Sequence, residues 1–462
     1  MDDTVTAFAG AAAQARMLAA GETTAPELVE LYLGRIARLD PQLNTYRTVR
    51  ADEARADAVD AQRRLDAGER LPLLGVTIAI KDDVDVAGEV TAWGTAAYGP
   101  PKQHDADVVT RLRDAGAIVI GKTNVPEMTI WPFTESLTFG ATRNPWDLSR
   151  SPGGSSGGTA AAVAAGLAPF GLGSDGGGSI RIPATWCGLF GLKPQRDRVP
   201  MGPHVDAWQG LSVNGPITRT VEDAALFLDV TTTLPAPVGG FVAVAARTPG
   251  RLRIAISTKT PPGIVAPVGE AQLEAVVDAA KVLRDLGHEV VDQDPDYSVA
   301  GGMNVMARYL RGIHDDVATM AHPERLEART RSMARAGGYI SDRRITSFRR
   351  AEAALAARVT AIFDDVDVVL TPGAATGPSS IGAYQRRGAF QTLNLVTRRI
   401  PFQAIFNATG QPAAVVPWGL DGDGLPMSVQ LVGRPADEAT LLSLSAQIEA
   451  ARPWADLRPV VC

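Results

Sequence analysis

Apolar positions in the first seventy residues recur at helical spacing. Residues 5–20, 25–39 and 50–67 each read as an amphipathic helix. GETTAPELVELYLGRI shows the logic: Thr24 is placed to cap, Pro26 falls in the first turn, and Leu28, Leu31, Leu33 and Ile36 form one stripe. From residue 71 the texture changes to short unbroken apolar runs set between helical stretches. LLGVTIAIK (73–81) and AIVIGK (117–122) predict buried strands, with a helix over 107–115 between them. FGLGS (170–174), RLRIAIS (251–257), HEVV (288–291), VDVVLTP (366–372), AAVVPW (413–418) and MSVQLVG (427–433) predict further strands. Helices are predicted over 157–168, 221–232, 269–287 and 437–451, with long ones near 301–335 and 343–364. Strands alternating with helices imply an α/β protein whose large sheet is covered on both faces. Nothing marks a linker, so residues 1–70 read as a helical layer on an α/β unit of residues 71–462, one compact domain.

Composition adds mainly exclusions. The 462 residues are 45% hydrophobic and 21% charged, with a formal net charge of −6 and no charge block. No nucleic-acid footprint is expected. No run approaches the roughly 18–20 apolar residues of a membrane span. The opening MDDTVTAFAG lacks the basic start of a secretory leader. The only cysteines, Cys187 and Cys462, do not make a disulfide framework, and a cytoplasmic protein is expected. Lysine stands at only six positions, 81, 102, 122, 193, 259 and 281. Where positive charge alone is needed, this chain uses arginine. Each lysine therefore invites scrutiny, because lysine alone of the two gives up its proton at accessible cost.

GSDGGGSIRIP (173–183) sets three glycines before Ser179. Such a run lets backbone N–H groups converge without side chains in the way, forming an anion-binding nest. An oxyanion beside Ser179 would meet the N–H groups of Gly176, Gly177, Gly178 and Ser179. If Ser179 caps the helix that follows, it also meets the positive end of that helix. Taken alone, GGGS reads better as a flexible loop with a capping serine.

A nucleophilic serine needs a base. The five histidines stand at 104, 204, 288, 314 and 322, in loops, polar helical stretches or, for His288, at a strand start expected to face solvent. None sits in a motif. Residues 153–157 formally spell the G-x-S-x-G nucleophile elbow around Ser155, but TRNPWDLSRSP before them cannot be the strand that motif requires. GAIVIGKT (116–123) matches the P-loop pattern, yet its variable residues read as a strand rather than a phosphate-cradling loop. Lys81 remains. It ends the strand VTIAIK, where α/β proteins carry functional groups. A surface lysine paired with Asp82 or Asp83 is the plain alternative. As a base, Lys81 must be neutral, which burial and hydroxyl partners would favour. The proton would pass between Ser179 and Lys81 through Ser155, since a hydroxyl both donates and accepts.

GVTIAIKDDVD, SPGGSSGGTAAAVAAG and LGSDGGGSIRIPATWCGLFGLKP together resemble the amidase signature family. GKTNVPE (121–127), FGATRNPWD (139–147), SVNGPITRTVEDAA (212–225) and GLPMSVQLVGRPADEATLL (424–442) extend the resemblance over nearly the whole chain. It implies a large mixed β-sheet sandwiched between helical layers. It also implies a triad of Ser179 as nucleophile, Ser155 in a cis peptide as bridge, and Lys81 as base. Ser156, Asp175 and Arg181 fall on supporting positions, with Arg181 expected to anchor the loop to Asp175. The resemblance implies amide hydrolysis through an acyl-enzyme, with some esterase activity and neither metal nor organic cofactor. A subunit resembling glutamyl-tRNA amidotransferase A, working with partner chains, shares the same signature and is the rival reading. MTIWPFTES (128–136) and DAWQGLS (206–212) match regions that line family pockets. Trp131, Phe133 and Trp208 would make a pocket suited to aryl or alkyl amides, or are ordinary core. The expected partners are a small amide substrate and at most a second copy of the chain, with no membrane or nucleic acid.

Overall fold

The computed structural model describes residues 3–462. Thirteen strands form: β1 Tyr46–Val49, β2 Thr77–Lys81, β3 Ile118–Thr123, β4 Glu135–Ser136, β5 Gly140–Ala141, β6 Phe170–Asp175, β7 Phe190–Lys193, β8 Val213–Thr218, β9 Arg253–Ile256, β10 Glu289–Asp292, β11 Val368–Pro372, β12 Ala413–Leu420 and β13 Pro426–Gly433. β4 and β5 pair only with each other. The others make one sheet in the order β1-β3-β2-β6-β8-β7-β12-β13-β11-β9-β10. It is mixed. β2 runs parallel to β3 and β6, and β9 parallel to β10 and β11, while β6, β7, β8, β12 and β13 pair antiparallel with one another.

β2, β3 and β6 are buried along their whole length, each an apolar run that turns polar at its C-terminal end. That burial on both faces is why these segments lack a polar alternation. β2 and β6 lie side by side and point the same way, so Lys81 and Asp175 emerge at one end of the sheet. There the chain leaves β6 through the glycine run and enters the helix Arg181–Cys187.

The helix Ala25–Leu43 starts with Thr24 accepting the Glu27 N–H and Glu27 reaching back to Thr24, a reciprocal cap that explains its sharp start. Other boundaries differ from the periodicity. The helix read over 5–20 is two, Asp3–Ala7 and Ala11–Ala20, broken at Gly10. Gly10 holds φ +87°, and a Cβ there would lie 2.4 Å from Asp223 Oδ2, so the close approach of that carboxylate decides the break. The long helix near 301–335 is likewise two, Val299–Ala318 and Ala328–Gly338, separated around Pro323. The stretch near 343–364 divides into Asp342–Arg350, Glu352–Thr360 and a short 3-10 turn. His288 is buried rather than solvent-facing: Nδ1 accepts the Leu252 N–H at 3.1 Å and Nε2 lies 2.8 Å from Gln447 Oε1. Among the described residues, no helix is long and apolar enough to cross a membrane.

Candidate active site

Lys81 sits at the end of β2 with no solvent exposure. Its Nζ donates to Ser155 Oγ at 2.8 Å and to Ser174 Oγ at 2.6 Å, with the Ser174 carbonyl at 3.3 Å. Asp83 Oδ2 lies 3.1 Å away and accepts the Ser174 hydroxyl at 2.5 Å. Burial lowers the lysine below its ordinary value, while Asp83 and, from farther off, Asp175 pull it back up. Asp82 takes no part, being paired with Lys122 Nζ at 2.9 Å and Arg47 Nε at 2.6 Å. Those contacts also settle Lys122: it ends inside β3 as a buried structural cation, donating to Thr91 Oγ1 at 2.9 Å.

Ser155 follows Gly154 through a cis peptide and is 1% exposed. A Cβ on Gly154 would lie 2.7 Å from the Trp131 carbonyl, so the neighbouring chain packs directly on this backbone. Ser156 is fully buried and donates to the Ser174 carbonyl at 3.2 Å, and its N–H donates to the Ser179 carbonyl at 3.1 Å. The two signature segments are thereby tied to β6 and to each other. Ser179 is half-buried and borders the same chamber as Ser155. Among the described residues, no hydrogen bond joins the two hydroxyls. Catalytic contacts commonly tighten only when substrate binds.

The glycine turn is held by Asp175. Its Oδ1 accepts the Gly178 N–H at 2.6 Å and its Oδ2 accepts the Ile180 N–H at 3.2 Å. Arg181 grips the same carboxylate with Nε at 3.0 Å and Nη2 at 3.1 Å, a two-pronged pair with neither side chain exposed. Asn407 adds its amide at 2.9 Å. Burial alone would raise the Asp175 carboxyl, but Arg181 and Asn407 outweigh it and hold the group well below the usual carboxylate range. This corrects two expectations. Gly178 spends its N–H on Asp175, leaving those of Gly176, Gly177 and Ser179 without a protein acceptor among the described residues. Ser179 also does not cap the helix: it precedes Ile180, the residue at the cap position, and no side-chain cap bond forms.

Two chambers open at Ser179. One is an apolar cavity of about 380 Å³, walled by Trp131, Met303, Tyr309, Leu393, Ile400 and Ile405 among others. The other, of about 30 Å³, is mixed: Asp83, Ser155, Ser174 and Asp316 share its wall with Trp93 and Met201. Thr129, Gly176, Ser179 and Trp208 border both. Trp208 stands in a left-handed conformation at φ +52°, and its Nε1 donates to Asp316 Oδ2 at 2.9 Å. Of the three aromatic candidates, Trp131 and Trp208 reach a chamber. Phe133 does not: it is core, stacked between Trp131 and Tyr384 at 5.9 and 4.7 Å. Sequence reasoning named Asp83 only as a surface partner of Lys81 and missed Ser174, Asp316 and His204 as site neighbours. Ser174 had a signal, since it stands beside Asp175 on the strand parallel to Lys81. His204 and Asp316 had none, because long loops and a distant helix bring them in.

A family model described as Amidase matches residues 27–442. A Mycobacterium tuberculosis protein described as "Putative amidase AmiB2" is 68% identical over 461 residues, covering all of both chains. A 6-aminohexanoate cyclic dimer hydrolase superposes with TM-score 0.87 at 30% identity, over 98% of this chain and 99% of that one. A bacterial aryl acylamidase of the amidase signature enzymes does so with TM-score 0.85 at 27% identity, again over 98% and 99%.

Proposed function

The chain belongs to the amidase signature family, and on that premise we propose that it hydrolyses carboxylic amides through Ser179, Ser155 and Lys81. The observation that carries the reading is the fully buried Lys81 Nζ, 2.8 Å from the Oγ of Ser155, which lines a chamber that Ser179 borders. A buried ammonium is poorly solvated, so the neutral amine is accessible there and acts as a base.

Ser179 Oγ attacks the amide carbon, and its proton passes to Ser155 Oγ as the Ser155 proton passes to Lys81. The new oxyanion is met by the free N–H groups of Gly176, Gly177 and Ser179, each such donor worth roughly 2.7–4 kcal/mol in acyl transfer. Collapse breaks the C–N bond, and the nitrogen takes a proton from Ser155, which is refilled from Lys81. Water then adds to the acyl-enzyme by the same relay and releases the acid. Arg181 and Asp175 position the donors and touch no reacting atom. The apolar cavity suits aryl or alkyl acyl groups. The work is that of a single cytoplasmic chain.

The test is hydrolysis of simple amides by the purified chain alone. Product acid should form, and Ser179→Ala should cut kcat by about 10⁴-fold or more. Turnover of glutamine only, and only with partner chains and charged tRNA, would establish the amidotransferase-subunit reading instead.

A further inference from the structure

The division of the site into two unequal chambers says which side of the amide each one takes. Ser155 and Ser174 wall the small chamber and not the large one, whereas Trp131 and Met303 wall the large one only. We propose that the small chamber is the leaving-group pocket, and that its size confines the enzyme to primary amides, with ammonia the amine released. This rests on Ser155 as the proton carrier.

The nitrogen must take its proton from Ser155 Oγ, so it must lie within hydrogen-bond reach of that atom. That places it on the small-chamber side of Ser179. In the tetrahedral intermediate the oxyanion, the nitrogen and the acyl substituent diverge from one carbon. With the oxyanion at the glycine turn and the nitrogen toward Ser155, the acyl substituent is left the large cavity. The small chamber, at about 30 Å³, has room for one or two water-sized molecules. Ammonia fits and a phenyl ring does not. Met201 narrows the chamber, as do Trp93 and His204, packed edge-on with ring centres 5.7 Å apart.

The wall chemistry agrees. Asp83, 93% buried at its side chain, leaves Oδ1 without a hydrogen-bond partner beside this chamber. Asp316 faces the same space, its carboxyl pushed up to about 6 chiefly by burial, against the Trp208 hydrogen bond. Two carboxyls and the Ser174 and Ser155 hydroxyls offer acceptors to a group rich in N–H. An N-aryl or N-alkyl substituent would take the place of an N–H donor and desolvate those oxygens. In the step itself the C–N electron pair goes to nitrogen, which binds the Ser155 proton. Ammonia departs and Lys81 is left neutral.

The experiment measures kcat/KM for hexanamide, N-methylhexanamide and hexananilide by hexanoate release from the purified chain. Aniline is the weaker base and the more readily expelled, so chemistry alone favours the anilide. The proposal expects hexanamide to exceed hexananilide at least tenfold, with N-methylhexanamide between them. A ratio below ten overturns it. Met201→Ala, which widens only the small chamber, should raise the N-methylhexanamide to hexanamide ratio, and an unchanged ratio in a folded variant counts against the pocket. Labelling of Ser179 by a fluorophosphonate separates the two levels. A labelled chain that prefers the anilide leaves the hydrolase standing and sinks the pocket. A chain neither labelled nor active on any of the three fails as an amidase, and the pocket falls with it.

Discussion

At the scale of single residues, the proposed mechanism turns on how charged Lys81 is. Burial disfavours the ammonium, and Asp83 at 3.1 Å favours it. The two effects oppose each other, so Asp83 sets where the base switches on. Removing its charge in Asp83→Asn takes away an attraction for the proton, and the Lys81 value moves down. Since activity needs the neutral amine, the acid limb of the kcat/KM profile should shift to lower pH. A limb that moved up, or stayed, would show that Asp83 does not tune the base. Arg181→Lys should be costly for another reason. A lysine cannot span both Asp175 oxygens and also keep the contacts of Arg181 to Gln430 Oε1 at 2.8 Å and Asn407 Oδ1 at 2.7 Å. A weakened partner leaves a buried carboxylate short of compensation, a loss of about 3–5 kcal/mol at the limit, readable by denaturant unfolding. That Lys81 and Ser155 meet was legible in the sequence through the long motifs GVTIAIKDDVD and SPGGSSGGTAAAVAAG. Asp83 was legible only as a carboxylate near a lysine. Its partner Ser174 became visible once β2 and β6 were known to lie side by side.

At the scale of elements, one strand, one turn and one short helix carry the proposed oxyanion site. Gly178 holds φ +120°, and a Cβ there would lie 2.8 Å from Gln403 Cβ. Gly178→Ala is therefore strained by backbone and by contact together. It should displace the neighbouring N–H groups and lower kcat by about 10²-fold or more, with KM much less affected. A kcat within a few-fold of the parent would mean that the turn does not organise the donors. The same residue type bears on two of the strands that escaped the sequence. β7 and β8, FGLK and VNGPIT, carry glycine inside the run, and β8 also carries proline, so neither matches a strand pattern. The sheet needs those glycines. A Cβ on Gly215 would lie 2.4 Å from the Leu192 carbonyl, and one on Gly191 would lie 2.6 Å from Ala184 Cβ. Tertiary closeness, which local pattern does not encode, decides both. Capped amphipathic helices such as Ala25–Leu43 were legible because their ends and faces are set locally.

At the scale of the whole molecule, a carboxyl group ties the helix Ala11–Ala20 to the helix Val221–Thr231. Asp223, in the helix Val221–Thr231, accepts the Ala12 N–H at 2.8 Å and is 1% exposed. Burial raises it to about 7 against that hydrogen bond, and burial raises neighbouring Glu449 to about 7 as well. Both folded values lie above the ordinary carboxylate range, so between roughly pH 4 and pH 7 the native state holds protons that the unfolded chain releases. The stability they contribute is complete below that window and lost as pH rises through it. Buried Lys81, Lys122 and Lys193 work in the opposite sense, their lowered values favouring the folded state as pH rises toward the ordinary lysine value. A single melting curve mixes the two. Asp223→Asn separates them: it keeps an acceptor for Ala12 and removes one titration, while the lysines are untouched. The fall in Tm between pH 5 and pH 8 should shrink by a few degrees relative to the parent. An equal pH dependence in both proteins would mean that Asp223 titrates alike folded and unfolded. The carboxyl joining the two helices would then be an ordinary ionised group reached by water.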